Sequence, residues 1–172
     1  MKGVIIEGVA GTGKSTLLSL LRSSEELSKK KWLIDIIDEE QTTGNLVVEL
    51  RDQNITATDK CHRLDQLLPR IEDSLRSGTF MILERFHPTY YALMPDWVLV
   101  RKYDEKLCAL GFGMVLLDLP NEELVKRSFH RPEMRNENWE EGLTKWYGSK
   151  ELAVKAFIDS QENRRRDRKS VV

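Results

Sequence analysis

One stretch near the start of the chain carries the clearest chemistry in the sequence. Residues 8–15 read GVAGTGKS and satisfy the pattern G-x-x-x-x-G-K-[ST]. Glycines let successive backbone N–H groups turn toward one anion, and the start of a following helix adds its dipole. We therefore expect a phosphate-binding loop whose contacts with the ligand come from Gly8, Gly11, Thr12, Gly13, Lys14, Ser15 and Thr16.

The two residues that close this pattern have separate expected tasks. Lys14 supplies a positive charge to the β and γ phosphates, and the hydroxyl of Ser15 ligates Mg²⁺. The expected cofactors are thus ATP and Mg²⁺. The alternative, a glycine-rich turn that binds nothing, is disfavoured because the pattern lies between an apolar run and an amphipathic segment.

Acidic residues end two further apolar runs. Glu39 and Glu40 follow the run 32–37, and Glu84-Arg85 follows the run 80–83. Ligands bind beyond the carboxyl ends of parallel strands, so these side chains should face the crevice beside the loop. We expect Glu84 to organise the metal through water and Arg85 to grip an acceptor phosphate or the transferring oxygens. Either Glu39 or Glu40 would act as a general base or as a contact to the acceptor; the alternative for this pair is a solvated acidic turn. The alternative for Glu84-Arg85 is an ion pair at the end of the strand.

A group of arginines follows later in the chain. Arg127, Arg131 and Arg135 recur at every fourth residue, the first two on one helical face and the third after Pro132. Such a cluster, over about 127–138, can act as a basic lid that closes over a nucleotide and places guanidinium charge on its γ phosphate. The alternative is a solvated basic helix end.

The elements that position these residues alternate between strand and helix signals. Apolar runs at 4–6, 32–37, 80–83 and 114–119 alternate with helical periodicity at 15–27, 58–77, 90–110 and 121–129, with a break near Pro95. This pattern predicts an α/β fold with a parallel sheet of about five strands flanked by helices, the P-loop NTP hydrolase fold, in a single domain over 1–172. Residues 139–168 are predicted to be mostly helical or to contain a fifth strand at 156–159. The basic cluster at 164–169 is predicted to be a solvated, frayed tail.

Composition excludes several classes of partner. The chain has 172 residues, of which 27 are basic and 28 acidic, giving a net charge of −1. We therefore expect no nucleic acid polymer as partner, and no apolar run approaches the roughly 18 residues that cross a membrane.

The N-terminus lacks a signal-peptide core, and Cys61 and Cys108 lack disulfide or metal spacing, so a cytoplasmic protein with reduced thiols is expected. The three histidines lack metal-ligand spacing and are expected to be structural or surface residues: His62, His87 and His130. The oligomeric state is left open, with a homodimer among the options.

A loop of this kind does not by itself name a reaction. The base-reading Asn-Lys-x-Asp of switch GTPases does not occur in the chain. AAA-type and helicase ATPases are usually longer and carry an Asp-Glu pair after a strand. Size and the absence of Asn-Lys-x-Asp favour a kinase of a small molecule.

The sequence resembles the thymidylate kinase family and the related deoxynucleoside kinases over residues 2–135. The resemblance is carried by Ile6-Glu7-Gly8, by ERFHPTYYA at 84–92, which is similar to the family's D-R-Y-x-x-S-x-x-A, and by LDLP at 117–120 leading to Arg127. It implies transfer of the γ phosphate of ATP to a nucleoside monophosphate, a small-molecule nucleotide substrate.

Departures from the family bear on the acceptor. DEEQTT at 38–43 stands where thymidylate kinases have R-E-P-G-G-T, Asp59-Lys60 replaces an Asp-Arg pair, and Leu93-Met94 replaces a Tyr-Gln pair. These departures leave thymine as the base in doubt. The nearest alternative is a kinase of a nucleoside or other metabolite hydroxyl, and an alternative of another class is a nucleotide-binding regulatory protein without acceptor chemistry.

Overall fold

The computed structural model describes residues 1–29, 33–44, 56–94, 96–129 and 139–167. Its centre is a parallel sheet of four strands: β1 (Gly3–Glu7), β2 (Ile34–Ile37), β3 (Phe80–Glu84) and β4 (Phe112–Leu116). The order β2-β3-β1-β4 places β1 between β3 and β4, with Ile6 level with Glu84 and Val115. The predicted P-loop α/β class is therefore confirmed.

Helices follow each strand, as crossover connections between parallel strands require. The described helices are α1 (Lys14–Arg22), α2 (Glu25–Lys29), α3 (Glu39–Thr42), α4 (Ala57–Lys60), α5 (His62–Arg76), α6 (His87–Leu93), α7 (Trp97–Ala109), α8 (Asn121–Phe129), α9 (Trp139–Tyr147) and α10 (Lys150–Asp167). Within the described ranges, every helix is too short or too polar to cross a membrane.

Two predicted helices are divided in the structure. The helix predicted at 15–27 ends at Arg22, where the Ser23 hydroxyl donates to the Ser19 carbonyl, and α2 begins separately at Glu25. The helix predicted at 58–77 is interrupted at Cys61, whose N–H donates to the Thr58 carbonyl, three residues back instead of four. A capping box of Thr56 and Asp59 starts the short helix that precedes this break. The helix predicted at 121–129 has the same bounds in the structure.

Of the two alternatives for the carboxyl-terminal residues, the mostly helical one is confirmed by α9 and α10, and the fifth strand is wrong. Residues 156–159 lie inside α10, so there is no fifth strand there, and the described residues form four strands rather than about five. The frayed tail is also wrong for part of the basic cluster, because Arg164 is only 3% exposed. Its burial comes from an ion pair with Glu7, a residue 157 positions away along the chain. Arg168 and Lys169 lie outside the described residues.

The sheet has apolar side chains on both faces. One face places Ile5, Ile37 and Leu83 in a core that includes Leu64 of α5 and Tyr103 of α7. The opposite face packs Ile6 and Ile82 against Leu18 of α1. A third cluster joins Val9 of the phosphate-binding loop to α8, α9 and α10 through Leu124, Leu143 and Phe157. The C-terminal helices thus pack directly against the loop that follows β1.

Candidate phosphate-transfer site

The loop between β1 and α1 adopts a backbone that its glycines permit. Gly8, Gly11 and Gly13 all have positive φ, at 149°, 91° and 98°. At Gly8 the constraint is also steric, because an added Cβ would lie 2.5 Å from both the Leu117 carbonyl oxygen and Thr12 Oγ1. Thr12 is buried and donates its hydroxyl to the Val9 carbonyl at 2.9 Å. The loop is therefore held in one compact conformation.

Lys14 lies at the first position of α1 with its ammonium turned back into the loop. Nζ donates to the carbonyl oxygens of Gly8, at 2.9 Å, and Val9, at 3.3 Å. Burial and, to a smaller extent, the Arg85 charge lower the pKa of Lys14 to about 8, against the opposing effect of Glu39 and other carboxylates. A buried ammonium with a lowered pKa is stabilised by an arriving anion. The loop therefore fits the phosphates of a nucleotide.

Ser15 and Thr16 are exposed in the first turn of α1. Among the described residues, no group of three or more His, Cys, Asp or Glu side chains could hold a metal ion. Mg²⁺, however, commonly binds through one or two protein oxygens, substrate phosphates and water. The Ser15 hydroxyl and the Glu84 carboxylate therefore fit a Mg²⁺ ion that arrives with a nucleotide.

Glu84 ends β3 beside the loop, and Glu39 begins α3 after β2. The Glu39 backbone N–H donates to Glu84 Oε2 at 3.4 Å, and the Thr42 hydroxyl donates to the Glu84 carbonyl at 2.7 Å. Burial raises the pKa of the Glu84 carboxyl, while the Lys14 charge acts in the opposite direction. The two strand ends thus meet at one edge of the sheet.

Arg85 has a left-handed backbone, with φ at 59°, which is uncommon for a residue with a side chain. Its Nε lies 3.1 Å from Glu39 Oε2. The same nitrogen is buried without an aligned hydrogen bond, so this contact is an ion pair of poor hydrogen-bond angle. The Glu39 carboxylate therefore attracts the guanidinium by charge, without an aligned hydrogen bond at Nε.

Glu39 and Glu40 differ in their surroundings. Glu39 contacts Arg85, whereas Glu40 is exposed on α3. Asp38 and Gln41 form a capping box that fixes the start of this short helix. The Tyr90 hydroxyl then donates to the Thr42 carbonyl at 2.9 Å, attaching α3 to the interior. Of the two acids that the sequence left open, Glu39 is the one that the fold brings to the site.

The described part of the basic lid is the end of α8. Arg127 Nε forms an ion pair with Glu123 Oε1 of the same helix at 2.8 Å. Ser128 donates its hydroxyl to the Ala10 carbonyl at 2.9 Å, which attaches α8 to the phosphate-binding loop. Arg131 and Arg135 lie outside the described residues, as does His130. His87 is buried with Nε2 3.2 Å from Asp104 Oδ1, and His62 is exposed.

Three buried polar residues beneath the site were not singled out as functional from the sequence. Glu7 ends β1 and is fully buried, and its carboxylate contacts Thr89 of α6 and Arg164 of α10. Glu7 could have been singled out from the sequence, because it is an acidic residue at the end of the apolar run 4–6. Periodicity gives no signal for Arg164, because its partner belongs to the opposite end of the chain.

Comparison with known proteins places this geometry in a family. No curated protein shows significant similarity to the chain. A family model described as an AAA domain matches residues 4–148, a range that includes the loop, all four strands and Arg127. This family is P-loop NTPase-like and includes nucleotide kinases, so the match supports the predicted nucleotide-binding loop. Because the match spans most of the sequence, the chain belongs to this AAA domain family of P-loop NTPase-like proteins.

Proposed function

We propose that this protein transfers the γ phosphate of ATP to a nucleoside monophosphate, in the manner of thymidylate kinases, with a deoxynucleotide as the favoured acceptor. The observation that carries the proposal is the meeting of Lys14, Glu39, Glu84 and Arg85 beside one glycine-rich loop. Arg85 Nε lies 3.1 Å from Glu39 Oε2, and the Glu39 N–H donates to Glu84 Oε2 at 3.4 Å, so these three residues are neighbours. Their charges also act on the pKa of Lys14. Phosphoryl transfer depends mainly on such positioning and charge stabilisation.

The donor side of the site is built from the loop and α1. Backbone N–H groups of the loop and the Lys14 ammonium hold the β and γ phosphates. Ser15 and Glu84 hold Mg²⁺, which neutralises phosphate charge when bound. Arg127, together with Arg131 and Arg135, covers the nucleotide as a basic lid and places positive charge on the γ phosphate.

The acceptor side is built from β2, α3 and the residue after β3. Arg85 grips the acceptor phosphate or the transferring oxygens through its planar, charged fork. Glu39 reaches the acceptor from the end of β2. The resemblance of residues 84–92 to the family's D-R-Y-x-x-S-x-x-A segment supports a nucleotide in this position, while the departures at 38–43 argue against assigning thymine as its base.

A second candidate, phosphorylation of a nucleoside or other metabolite hydroxyl, is favoured by one observation. Arg85 is already paired with Glu39 at 3.1 Å, so its charge is partly neutralised before an acceptor phosphate arrives. A carboxylate on the acceptor side is also what a hydroxyl acceptor requires as its general base. In this alternative Glu39 removes the proton from the attacking hydroxyl.

A coupled assay of ADP release separates the two candidates. The panel pairs each common nucleoside and deoxynucleoside with its monophosphate, and Lys14→Met serves as the inactive control. We expect turnover with one or more monophosphates, and turnover with unphosphorylated alcohols alone would reject this choice. ATP binding without transfer to any acceptor would instead indicate a nucleotide-responsive regulatory protein.

Glu39→Gln gives an independent criterion in the same assay. A general base contributes about 10²–10⁴-fold to a rate, so a hydroxyl kinase would lose at least about 100-fold in kcat. A monophosphate kinase needs no such base, and we expect a loss below about 20-fold because only an acceptor contact changes.

A further inference from the structure

A buried ion pair lies directly beneath the site and joins the two ends of the chain. Arg164 Nε of α10 lies 3.2 Å from Glu7 Oε2 at the end of β1. The two side chains are 3% and 0% exposed, so both charges are removed from water. A buried charge is tolerated only when an opposite charge and hydrogen bonds offset the free energy lost on leaving water.

The remaining polar atoms of Arg164 are satisfied by the same neighbourhood. Its Nη2 donates to Thr89 Oγ1 at 3.1 Å, and its Nη1 donates to the Ser160 hydroxyl and to the Ser160 carbonyl. Thr89 in turn donates its hydroxyl to the Glu7 carboxylate, with Oε2 at 2.9 Å. Arg164 is therefore held in one orientation, and its fork fixes the Glu7 carboxylate.

The Glu7 carboxylate also holds two segments of backbone that carry site residues. Oε1 accepts from the Phe86 N–H at 2.8 Å, and Oε2 accepts from the Gly8 N–H at 3.3 Å. Gly8 begins the phosphate-binding loop, and Phe86 directly follows Arg85. One side chain thus fixes the start of the loop relative to the segment that presents the guanidinium.

Arg85 has particular need of this support. Its left-handed backbone is a strained conformation that persists only when neighbouring bonds over-determine it. The Arg85 N–H donates to the Ile6 carbonyl at 2.9 Å, and the next N–H is the one bound by Glu7. The guanidinium pairs with Glu39 but lacks an aligned hydrogen bond at Nε, so its position depends both on that ion pair and on the backbone that presents the side chain.

We propose that Glu7 and Arg164 are positioning residues, a buried pair through which the C-terminal helix sets Arg85 against the phosphate-binding loop. Neither residue touches the substrate. Glu7 acts through the backbone N–H groups of Gly8 and Phe86, which flank the loop and Arg85, and Arg164 acts through Glu7. This inference rests on the proposed function, because it assumes that Arg85 acts on a transferring or acceptor phosphate.

The test must separate positioning from general stability. Removing one partner of a buried pair leaves an unpaired charge, whereas removing both with apolar or neutral groups is often tolerated. The variant of choice is therefore Glu7→Gln combined with Arg164→Met. Arg165→Met is the matched control, because Arg165 is the next residue of α10 and forms a half-exposed ion pair with Asp118. Each is made in the wild-type chain and in an Arg85→Ala background.

Three measurements are made on the full chain: kcat, the Kd for MgATP by calorimetry, and hydrogen exchange of the Phe86 amide by NMR. We expect the double variant to lose about 100-fold in kcat, the usual effect of a displacement near 1 Å, with the Kd changed less than about tenfold. Exchange at Phe86 should become at least about tenfold faster while exchange in β4 stays unchanged. In the Arg85→Ala background the double variant should cause no further loss of kcat.

Additive losses of kcat in the two backgrounds would overturn the proposal, as would unchanged exchange at Phe86. Should the double variant fail to fold, Thr89→Val removes one neutral hydroxyl from the same network and must show the same non-additivity, with a loss of about tenfold. A wild-type chain without any kinase turnover would reject the proposed function, and the exchange rate of Phe86 alone would then decide whether the pair fixes this backbone.

Discussion

At the scale of single residues, Lys14 shows how the site and the stability of the fold oppose each other. The residue is 5% exposed, and its ammonium donates to carbonyl oxygens of the loop. A pKa lowered from 10.5 to about 8 corresponds to a free-energy cost of about 3 kcal/mol for keeping the charge in the folded protein. This cost is expected of a residue retained to bind an anion rather than to stabilise the apo protein.

The first prediction concerns the stability of Lys14→Met. Because the folded pKa lies below the unfolded pKa, the charge destabilises the fold fully below pH 8, and this effect disappears as pH rises toward 10.5. We expect the variant to raise the free energy of unfolding at pH 7 by up to about 3 kcal/mol, less the loop hydrogen bonds that it loses. Urea unfolding measures this difference, which should shrink above pH 8.

Lys145→Met, at an exposed position of α9, is the control for removing a lysine charge. A Lys14→Met protein that is less stable than wild type at pH 7, or whose difference from wild type is independent of pH, would contradict the burial argument. The variant should also lose MgATP binding, so greater stability and lost binding are expected together.

A second prediction concerns Glu84. Burial raises the pKa of its carboxyl, so the ionised form appears at higher pH than for an ordinary glutamate. If the carboxylate organises Mg²⁺, kcat should rise with pH through this raised pKa. Glu84→Gln should remove that acidic limb and lower kcat by about 100-fold at saturating Mg²⁺.

Glu105→Gln, in an exposed ion pair of α7, is the control and should keep the wild-type pH profile. The acidic limb is measured as the dependence of kcat on pH with MgATP and acceptor saturating. An unchanged acidic limb in Glu84→Gln would remove Glu84 from the metal site.

At the scale of elements, the compact loop depends on the absence of a side chain at Gly8. A Cβ there would lie 2.5 Å from the Leu117 carbonyl, which belongs to the segment after β4. We predict that Gly8→Ala lowers the free energy of unfolding by about 1–3 kcal/mol and weakens MgATP binding at least tenfold. Thermal unfolding and calorimetry measure the two effects.

Gly142→Ala supplies a matched substitution within α9. No atom lies within 4 Å of its added Cβ, so the change should stabilise the helix by about 0.5–1 kcal/mol and leave MgATP binding unchanged. A Gly8→Ala protein that binds MgATP like wild type would show that the loop does not need its observed conformation.

Local pattern located each described strand, although β4 covers Phe112–Leu116 instead of the predicted 114–119. It located the ends of two helices less well. Phe80–Glu84 could be recognised because a strand buried on both faces reads as a continuous apolar run that ends at a polar residue. The interruption at Cys61 could not, because apolar periodicity continues through it while a local backbone turn, in which the Cys61 N–H donates to the Thr58 carbonyl, ends the short helix. The phosphate-binding loop could likewise be predicted from the spacing of its glycines, and Arg85 from its place after an apolar run. Arg164 was not, since a partner 157 residues away leaves no local trace.

At the scale of the whole molecule, the site collects residues from distant parts of the chain at one edge of the sheet. The strand order places the ends of β1 and β3 side by side, which brings Glu84 and Arg85 to the loop. The loop is further contacted by α8 through Ser128, and β1 by α10 through Arg164. Substitutions of Ser128 and Arg164 are therefore expected to affect transfer although neither side chain contacts the substrate.

The central claim is that a phosphoryl group moves from ATP across the space between Lys14 and Arg85. The most direct measurement incubates the protein with γ-³²P-labelled ATP, Mg²⁺ and a panel of nucleoside monophosphates, and separates the products. We predict label in a nucleoside diphosphate with wild type and none with Lys14→Met. Label that appears only as inorganic phosphate, or that remains entirely in ATP, would contradict the account.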